Sequence, residues 1–172
     1  NTHPFTRQMW GKNWTYAHNG QLKAFNEKLP IKLHLPIGTT DSEHAFCWIL
    51  DQLHYKFGAV KPSVKRLFSF IASLTSEIDQ LGVANIIITD GESLFAYCSN
   101  NLHWITRRAP FGKASLIDAE MAVDFHKETT ANDIVTVIAT QPLTDDETWH
   151  KMPAGQWQLF CLGESVDCTD GE

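Results

Sequence analysis

Trp14-Thr15-Tyr16-Ala17-His18-Asn19-Gly20-Gln21-Leu22 is the stretch on which the reading of this chain turns. Its first half alternates aromatic and β-branched residues with smaller ones, the pattern of a strand. It then meets Asn19-Gly20, a pair that favours positive φ. The strand is expected to stop there, leaving backbone N–H groups free to face something. On the residues alone, two readings stay open. One is a tight hairpin turn, for which Asn-Gly is the strongest short signal. The other is an anion site, in which the Asn19 side-chain amide and the Gly20 backbone N–H both point at a developing oxyanion. The missing Cβ of Gly20 would allow the close approach this needs.

Around this stretch lie 172 residues, 43% hydrophobic and 11% aromatic, enough for the core of one domain. A net charge of −6 gives no basic footprint for nucleic acid. No apolar run approaches the ~18 residues of a membrane span, and no charged-then-apolar leader opens the chain. A soluble, cytoplasmic protein is expected, with neither nucleic acid nor membrane as partner. The four cysteines, Cys47, Cys98, Cys161 and Cys168, show no CxxC spacing and are too few for a disulfide scaffold of this length. The eight histidines include no HExxH and no helical i, i+4 pair, and neither a Gly-rich phosphate loop nor a GxSxG elbow occurs. No metal and no cofactor is therefore expected. The chain opens at Asn1 without Met and enters directly upon Thr2-His3-Pro4-Phe5, which looks like the middle of a protein.

In chain order, residues 1–22 read as a polar segment, His3 to Arg7, followed by the Trp14 strand. Pro4 biases His3 toward an extended conformation, which fixes where the imidazole points. Residues 23–36 contain two prolines and no clean period, and read as a loop with one short helical piece. Thr40 with Glu43 three residues later makes a capping box, and Ala45, Trp48, Ile49 and Leu53 follow helical spacing to about Phe57 before Gly58. Asp41 falls in the first turn of that helix. There it either complements the helix dipole or receives an ammonium group.

A second helix is predicted after Pro62-Ser63, with Val64, Leu67, Phe68, Ile71, Leu74 and Ile78 on one face, ending at Leu81-Gly82. Two apolar runs, 84–89 and 94–98, are joined by Asp90-Gly91-Glu92-Ser93 as a hairpin. Strand signals recur at 114–117, 121–125, 134–140 and 156–162, so the second half should form antiparallel sheet. Arg107 and Arg108 read as a solvated pair at a strand end. The acidic residues 164–172 read as a disordered tail. Residues 1–163 are taken as one domain.

Three segments in this order, Asn1-Thr2-His3-Pro4-Phe5, Tyr16-Ala17-His18-Asn19-Gly20-Gln21-Leu22 and Gly38-Thr39-Thr40-Asp41-Ser42-Glu43, closely resemble the class II glutamine amidotransferases. Ile138-Ala139-Thr140-Gln141-Pro142-Leu143-Thr144, with Glu147 and Trp149, is similar to the C-terminal signature of the stand-alone bacterial branch of that family. The resemblance implies an α+β N-terminal nucleophile hydrolase fold, a four-layer αββα sandwich with two antiparallel sheets. It also implies hydrolysis of the glutamine side-chain amide to glutamate and ammonia. In that family an N-terminal Cys attacks the amide carbonyl, with its own α-amino group as base, to give a thioester that water cleaves.

By the same resemblance Asn19 and Gly20 form the oxyanion hole, Asp41 binds the substrate's α-ammonium beside Thr40, and His3 lines the glutamine pocket. His18 is read as structural. The sequence departs from the pattern at the nucleophile, since Asn1 stands first and none of the four cysteines is N-terminal. The expectation is a glutaminase-type amidotransferase whose Cys lies in an N-terminal segment outside this chain. Its partners would be glutamine or a γ-glutamyl amide, the N-terminal segment and, unless simple hydrolysis is the purpose, an ammonia-accepting enzyme. The alternatives are hydrolysis of another γ-glutamyl amide, or a non-catalytic relative that keeps the pocket for binding.

Overall fold

A hairpin opens the fold. In the computed structural model, which describes residues 2–110, 113–115, 122–124, 130 and 132–166, β1 (Phe5–Met9) pairs antiparallel with β2 (Lys12–Leu22), from Phe5↔Tyr16 to Met9↔Lys12. The reversal at Trp10-Gly11 has positive φ at both residues, 54° and 72°, as a two-residue hairpin turn requires. Trp10 is held in this uncommon conformation by its indole N–H, which donates to Gly58 O at 2.8 Å, and by edge contacts with the Trp14 and Phe57 rings. The segment read as polar is thus a strand. Its alternation was hidden because Arg7, between the buried Phe5 and Met9, turns inward to pair with the buried Glu43.

β2 does not stop at Asn19-Gly20. It runs on to Leu22 and pairs with β3 (Gly82–Thr89) over eight residues, with Asn19 opposite Asn85 and Gly20 opposite Ala84. Both the hairpin-turn reading and the expected break are therefore corrected. Ladder pairing along the whole strand outweighs the local preference of two residues. Glycine is needed at position 20 for proximity, since a Cβ there would lie 1.8 Å from Val83 O.

β3 returns through the Asp90–Ser93 turn into β4 (Ser93–Cys98). The six-stranded sheet is ordered β1-β2-β3-β4-β10-β11, with β10 at Gln156–Cys161 and β11 at Glu164–Val166. A second sheet has the order β8-β5-β9, with β5 at His103–Arg108, β8 at Ile134–Ala139 and β9 at His150–Lys151. β6 (Lys113–Ser115) and β7 (Ala122–Asp124) pair separately. Every pairing is antiparallel, as expected for the second half. Three residues of the expected disordered tail, Glu164–Val166, belong to the large sheet, and the rest of it lies outside the described residues.

α1 (Phe25–Lys28) is the short helical piece of the loop. α2 (Asp41–Phe57) has the predicted bounds, with Thr40 Oγ1 accepting from Glu43 N and Gly58 closing it at φ 63°. α3 (Val64–Asp79) buries Leu67, Phe68, Ile71, Leu74 and Ile78 against the sheet. Val64 stays partly exposed. α2 is buried from Ser42 to Asp51, and its polar groups there hold the preceding loop. Asp51 accepts from the N–H groups of Lys32, Leu33 and His34, Glu43 from those of Ile37 and Gly38, and His44 Nε2 donates to Leu29 O. The irregular segment is thereby fixed along its length, and with it the entry to α2.

The helices cover one face of the large sheet, and the second sheet faces the other across a smaller core of Ala96, Cys98, Leu102, Met152 and Phe160, with Trp104 and Ile138 packed on it. The expected α+β sandwich with two antiparallel sheets is present. Of its four layers the described residues supply three, since none of the three helices lies on the second sheet.

Candidate active site

Strand alternation divides β2 between two environments. Tyr16 and His18 point to α2, Tyr16 stacking on Phe46 at 5.1 Å and His18 Nδ1 lying 2.8 Å from Ser42 Oγ. Ala17 and Asn19 point the other way, into a cavity of about 210 Å³ between the sheets. His3, His18, Asn85, Ile87, Leu102 and residues 138–140 complete its lining. The fold thus brings the His-Pro motif, the Asn-Gly motif and the distal Ala139-Thr140 motif around one space. Its walls are mostly apolar, with His3, His18, Asn19, Asn85 and Thr140 as the polar residues. His3 is held below the ordinary histidine value by partial burial, against the opposing pull of the Asp41 carboxylate.

Asp41 stands behind this wall at the start of α2. Its Oδ2 accepts from Leu22 N at 2.7 Å and its Oδ1 from Ser42 N at 2.8 Å, so the carboxylate clamps the end of β2 to the helix mouth. Asp41 and Gly20 are not in the lining of the Asn19 cavity, and Thr40 borders a different one, of about 190 Å³, with Phe25, Pro36 and His44. The five sequence-predicted residues therefore share one region. Of the five, His3 and Asn19 line the cavity described above.

His18 is buried. Val83 O can only accept, so Nε2 carries a proton toward it, while Nδ1 lies 2.8 Å from Ser42 Oγ, whose hydroxyl is also within reach of Asp41 Oδ1 at 3.3 Å. Burial lowers the His18 pKa; the Val83 bond and the Asp41 charge oppose that shift. Tyr16 is fully buried, and among the described residues its hydroxyl has no hydrogen-bond partner. Burial first and the Asp41 charge second push its pKa upward. His18, expected to be structural, ties β2 to Ser42 and Val83 and also borders the Asn19 cavity. Tyr16, Ser42 and Leu22 N were not anticipated as neighbours of Asp41.

Asn85 was also missed. It is 4% exposed, yet its Oδ1 accepts from Ser99 N, Asn100 N and Asn101 N at 3.1–3.3 Å, and its Nδ2 donates to Asn19 O and Asn100 Oδ1. Asn101 Nδ2 in turn donates to Thr140 O at 2.6 Å, which carries the network to the opposite sheet. One signal was available: a lone amide in the run Val83-Ala84-Asn85-Ile86-Ile87-Ile88 must find partners when buried.

The arginine pair closes β5, at a strand end as expected, but each guanidinium is paired with a carboxylate and only Arg108 is largely exposed. Arg107 binds both oxygens of Glu147, which also accepts from Thr144, while Arg108 binds both oxygens of Glu164. Trp149 Nε1 donates to Thr144 Oγ1, so the signature residues Thr144, Glu147 and Trp149 form one network that anchors the loop after β8. Cys47 and Cys98 are buried, and burial raises the thiol pKa of both, that of Cys47 to about 11. Cys168 lies outside the described residues. Among the described residues no group of three His, Cys, Asp or Glu side chains could hold a metal ion, and no helix is long and apolar enough to cross a membrane.

The family of class II glutamine amidotransferases matches residues 1–172. The chain belongs to that family. YafJ of Escherichia coli (strain K12), provisionally named a glutamine amidotransferase, is 55% identical over 166 residues, which cover 96% of this chain and 65% of that protein. A Haemophilus influenzae protein with the same provisional name is 45% identical over 166 residues, 96% of this chain and 56% of that one. A crystal structure of a glutamine amidotransferase assigned by prediction, from Pseudomonas aeruginosa PA01, superposes with a TM-score of 0.86 at 48% identity, covering 97% of this chain and 65% of that one. This class II amidotransferase chain thus spans between one half and two thirds of the length of these relatives. The match at 48% identity extends to the sandwich of two antiparallel sheets described above.

Proposed function

We propose that these residues form the substrate side of a glutaminase site, which hydrolyses the side-chain amide of glutamine to glutamate and ammonia and passes the ammonia to an acceptor enzyme. The observation that carries the reading is the grouping of His3, Asn19 and residues 138–140 around one cavity, with the Asp41 carboxylate at the adjoining helix mouth. Asn19 offers a side-chain amide and Gly20 a backbone N–H to the oxyanion that develops as the carbonyl is attacked. Asp41 takes the α-ammonium of the substrate, Thr40 fixes the first turn that carries it, and His3 closes the pocket.

The nucleophile is a cysteine outside these residues, with its own α-amino group as base. Internal cysteines are poor candidates. Cys47 and Cys98 are buried with raised pKa, and Cys161 sits in β10 beside Ser93. Thiols buried as those of Cys47 and Cys98 are seldom thiolate at neutral pH. The apolar lining by Ala17, Ile87, Leu102 and Ile138 favours, as a second reading, a γ-glutamyl amide with an apolar substituent. Asp41 would hold the same α-amino end in either substrate.

The test is steady-state glutamate release by the protein at the length of its relatives. Asp41→Asn should raise KM for glutamine roughly 10–100-fold with little loss of kcat, since a charge-assisted contact of about 1.5–3 kcal/mol is made in ground and transition states alike. Asn19→Ala should lower kcat about 10²–10³-fold with an unchanged melting curve. A normal KM in Asp41→Asn removes that residue from the pocket. Faster turnover of an N-substituted γ-glutamyl amide than of glutamine would establish the second reading.

A further inference from the structure

We propose that Asn85 is a positioning residue, which orients and polarises the Asn19–Gly20 peptide so that the Gly20 N–H is presented as an oxyanion donor; this rests on the glutaminase reading above. The assignment of the Asn85 amide is forced by its partners. Three backbone N–H groups, of Ser99, Asn100 and Asn101, converge on one end, which must be the oxygen, so the other end is the NH₂ that reaches Asn19 O at 3.2 Å.

Asn19 C=O and Gly20 N–H belong to the same planar peptide unit and point in opposite directions. A donor fixed on the carbonyl therefore fixes the direction of the N–H. It also draws electron density toward the carbonyl oxygen, which makes the N–H a stronger donor. Asn85 itself cannot drift, because it is buried and its oxygen is tied to three consecutive N–H groups of the turn after β4. A donor held rigid before the reaction is the condition under which an oxyanion contact has its full effect. The turn is joined to the opposite wall through Asn101 Nδ2 and Thr140 O, so the peptide is referenced to both sides of the cavity.

Asn85→Asp tests this, because it keeps an acceptor for the three N–H groups while removing the amide that donates to Asn19 O and Asn100 Oδ1, and Asn85→Ser, which adds no charge, is measured beside it. Measured on the protein at the length of its relatives, kcat for glutamine should fall about 10-fold or more while KM moves less than about 2-fold. The ¹H shift of the Gly20 amide, read by NMR on the same labelled protein, should move upfield. Asn101→Ala, which cuts only the link to Thr140, should leave the Gly20 shift in place. If Asn85→Asp does not fold, the smaller Asn85→Ser decides alone, with the same expectations. An unchanged Gly20 shift overturns the proposal even if kcat falls, because the loss is then merely structural. An unchanged kcat in a protein active on glutamine overturns it as well. If the unsubstituted protein does not release glutamate at all, the glutaminase reading fails, and the Gly20 shift alone decides whether Asn85 orients the peptide.

Discussion

The six-stranded sheet meets α2 and α3 through fully buried side chains such as Trp14, Phe46, Phe68 and Phe95, whereas the β8-β5-β9 sheet is held by a five-residue core, by ion pairs of Arg107 and Arg108, and by the Thr144–Glu147–Trp149 network. Asn19 and Asn85 stand on the first wall of the cavity, and residues 138–140 form part of the second. Dispersion and apolar burial make the first wall a close-packed block in which small changes of volume are felt. The second depends more on partly exposed hydrogen bonds between charged groups, which contribute less and tolerate change better. The groups proposed to stabilise charge lie on the stiffer wall, where preorganisation costs least.

The sharpest way to break this contrast is Gly20→Ala. Its new Cβ would lie 1.8 Å from Val83 O and 2.8 Å from His18 Nε2, so β2 and β3 must separate locally. We expect a loss of about 3 kcal/mol or more, a fall in Tm of roughly 6–12 °C, read by thermal melting. A melting curve equal to that of the unsubstituted chain would mean that the first wall yields easily. Asp51→Ala comes next, for it removes from the N–H groups of Lys32, Leu33 and His34 the fully buried acceptor that holds them to α2. About 2–3 kcal/mol should be lost, with faster hydrogen exchange confined to the loop before α2.

Arg107→Ala applies the same test to the second wall. Because Arg107 and Glu147 are both partly exposed, no more than about 1 kcal/mol should be lost, with Tm moving by less than about 4 °C. A larger fall than that of Asp51→Ala would reverse the ranking of the walls.

The smallest effect is a pH dependence seated at His18. Burial lowers its pKa from 6.5, so below 6.5 the unfolded chain takes up a proton that the folded chain refuses. Stability is complete above about pH 6.5 and declines as pH falls toward the folded value. His3, also lowered, adds with the same sign. In His18→Gln the fall of Tm between pH 7.5 and 5.5 should be shallower than in the unsubstituted chain, whatever the absolute stability of the variant. An equal slope would show that His18 takes up its proton as readily in the native state as in the unfolded one.

Signals confined to one element were legible in the residues. Thr40 and Gly58 bounded α2, the apolar period bounded α3, and the Asp90-Gly91 turn placed β3 against β4. Signals that depend on a distant partner were not. Arg7 masks β1 because its partner Glu43 is 36 residues away, and β5 was hidden by an arginine pair whose partners lie 40 and 56 residues on. Of the candidate site, the motifs gave His3, Asn19, Gly20, Thr40 and Asp41. Asn85, Tyr16 and Ser42 belong to no such motif reading, and they enter through spatial neighbours alone.

What the sequence determined by itself was the two long helices with their boundaries, the β3–β4 hairpin and the motifs that hold the residues proposed here for amide hydrolysis, because caps, turns and amphipathic periods are local and act within a few residues. What only the tertiary structure decided was the state of Asn19-Gly20, whose turn preference yields to eight residues of pairing with β3, and the side of the strand on which each polar group stands. It also decided that the lone Asn85 amide reaches Asn19, since a buried amide must satisfy both its ends and its available partners are set by the register of strands 66 residues apart.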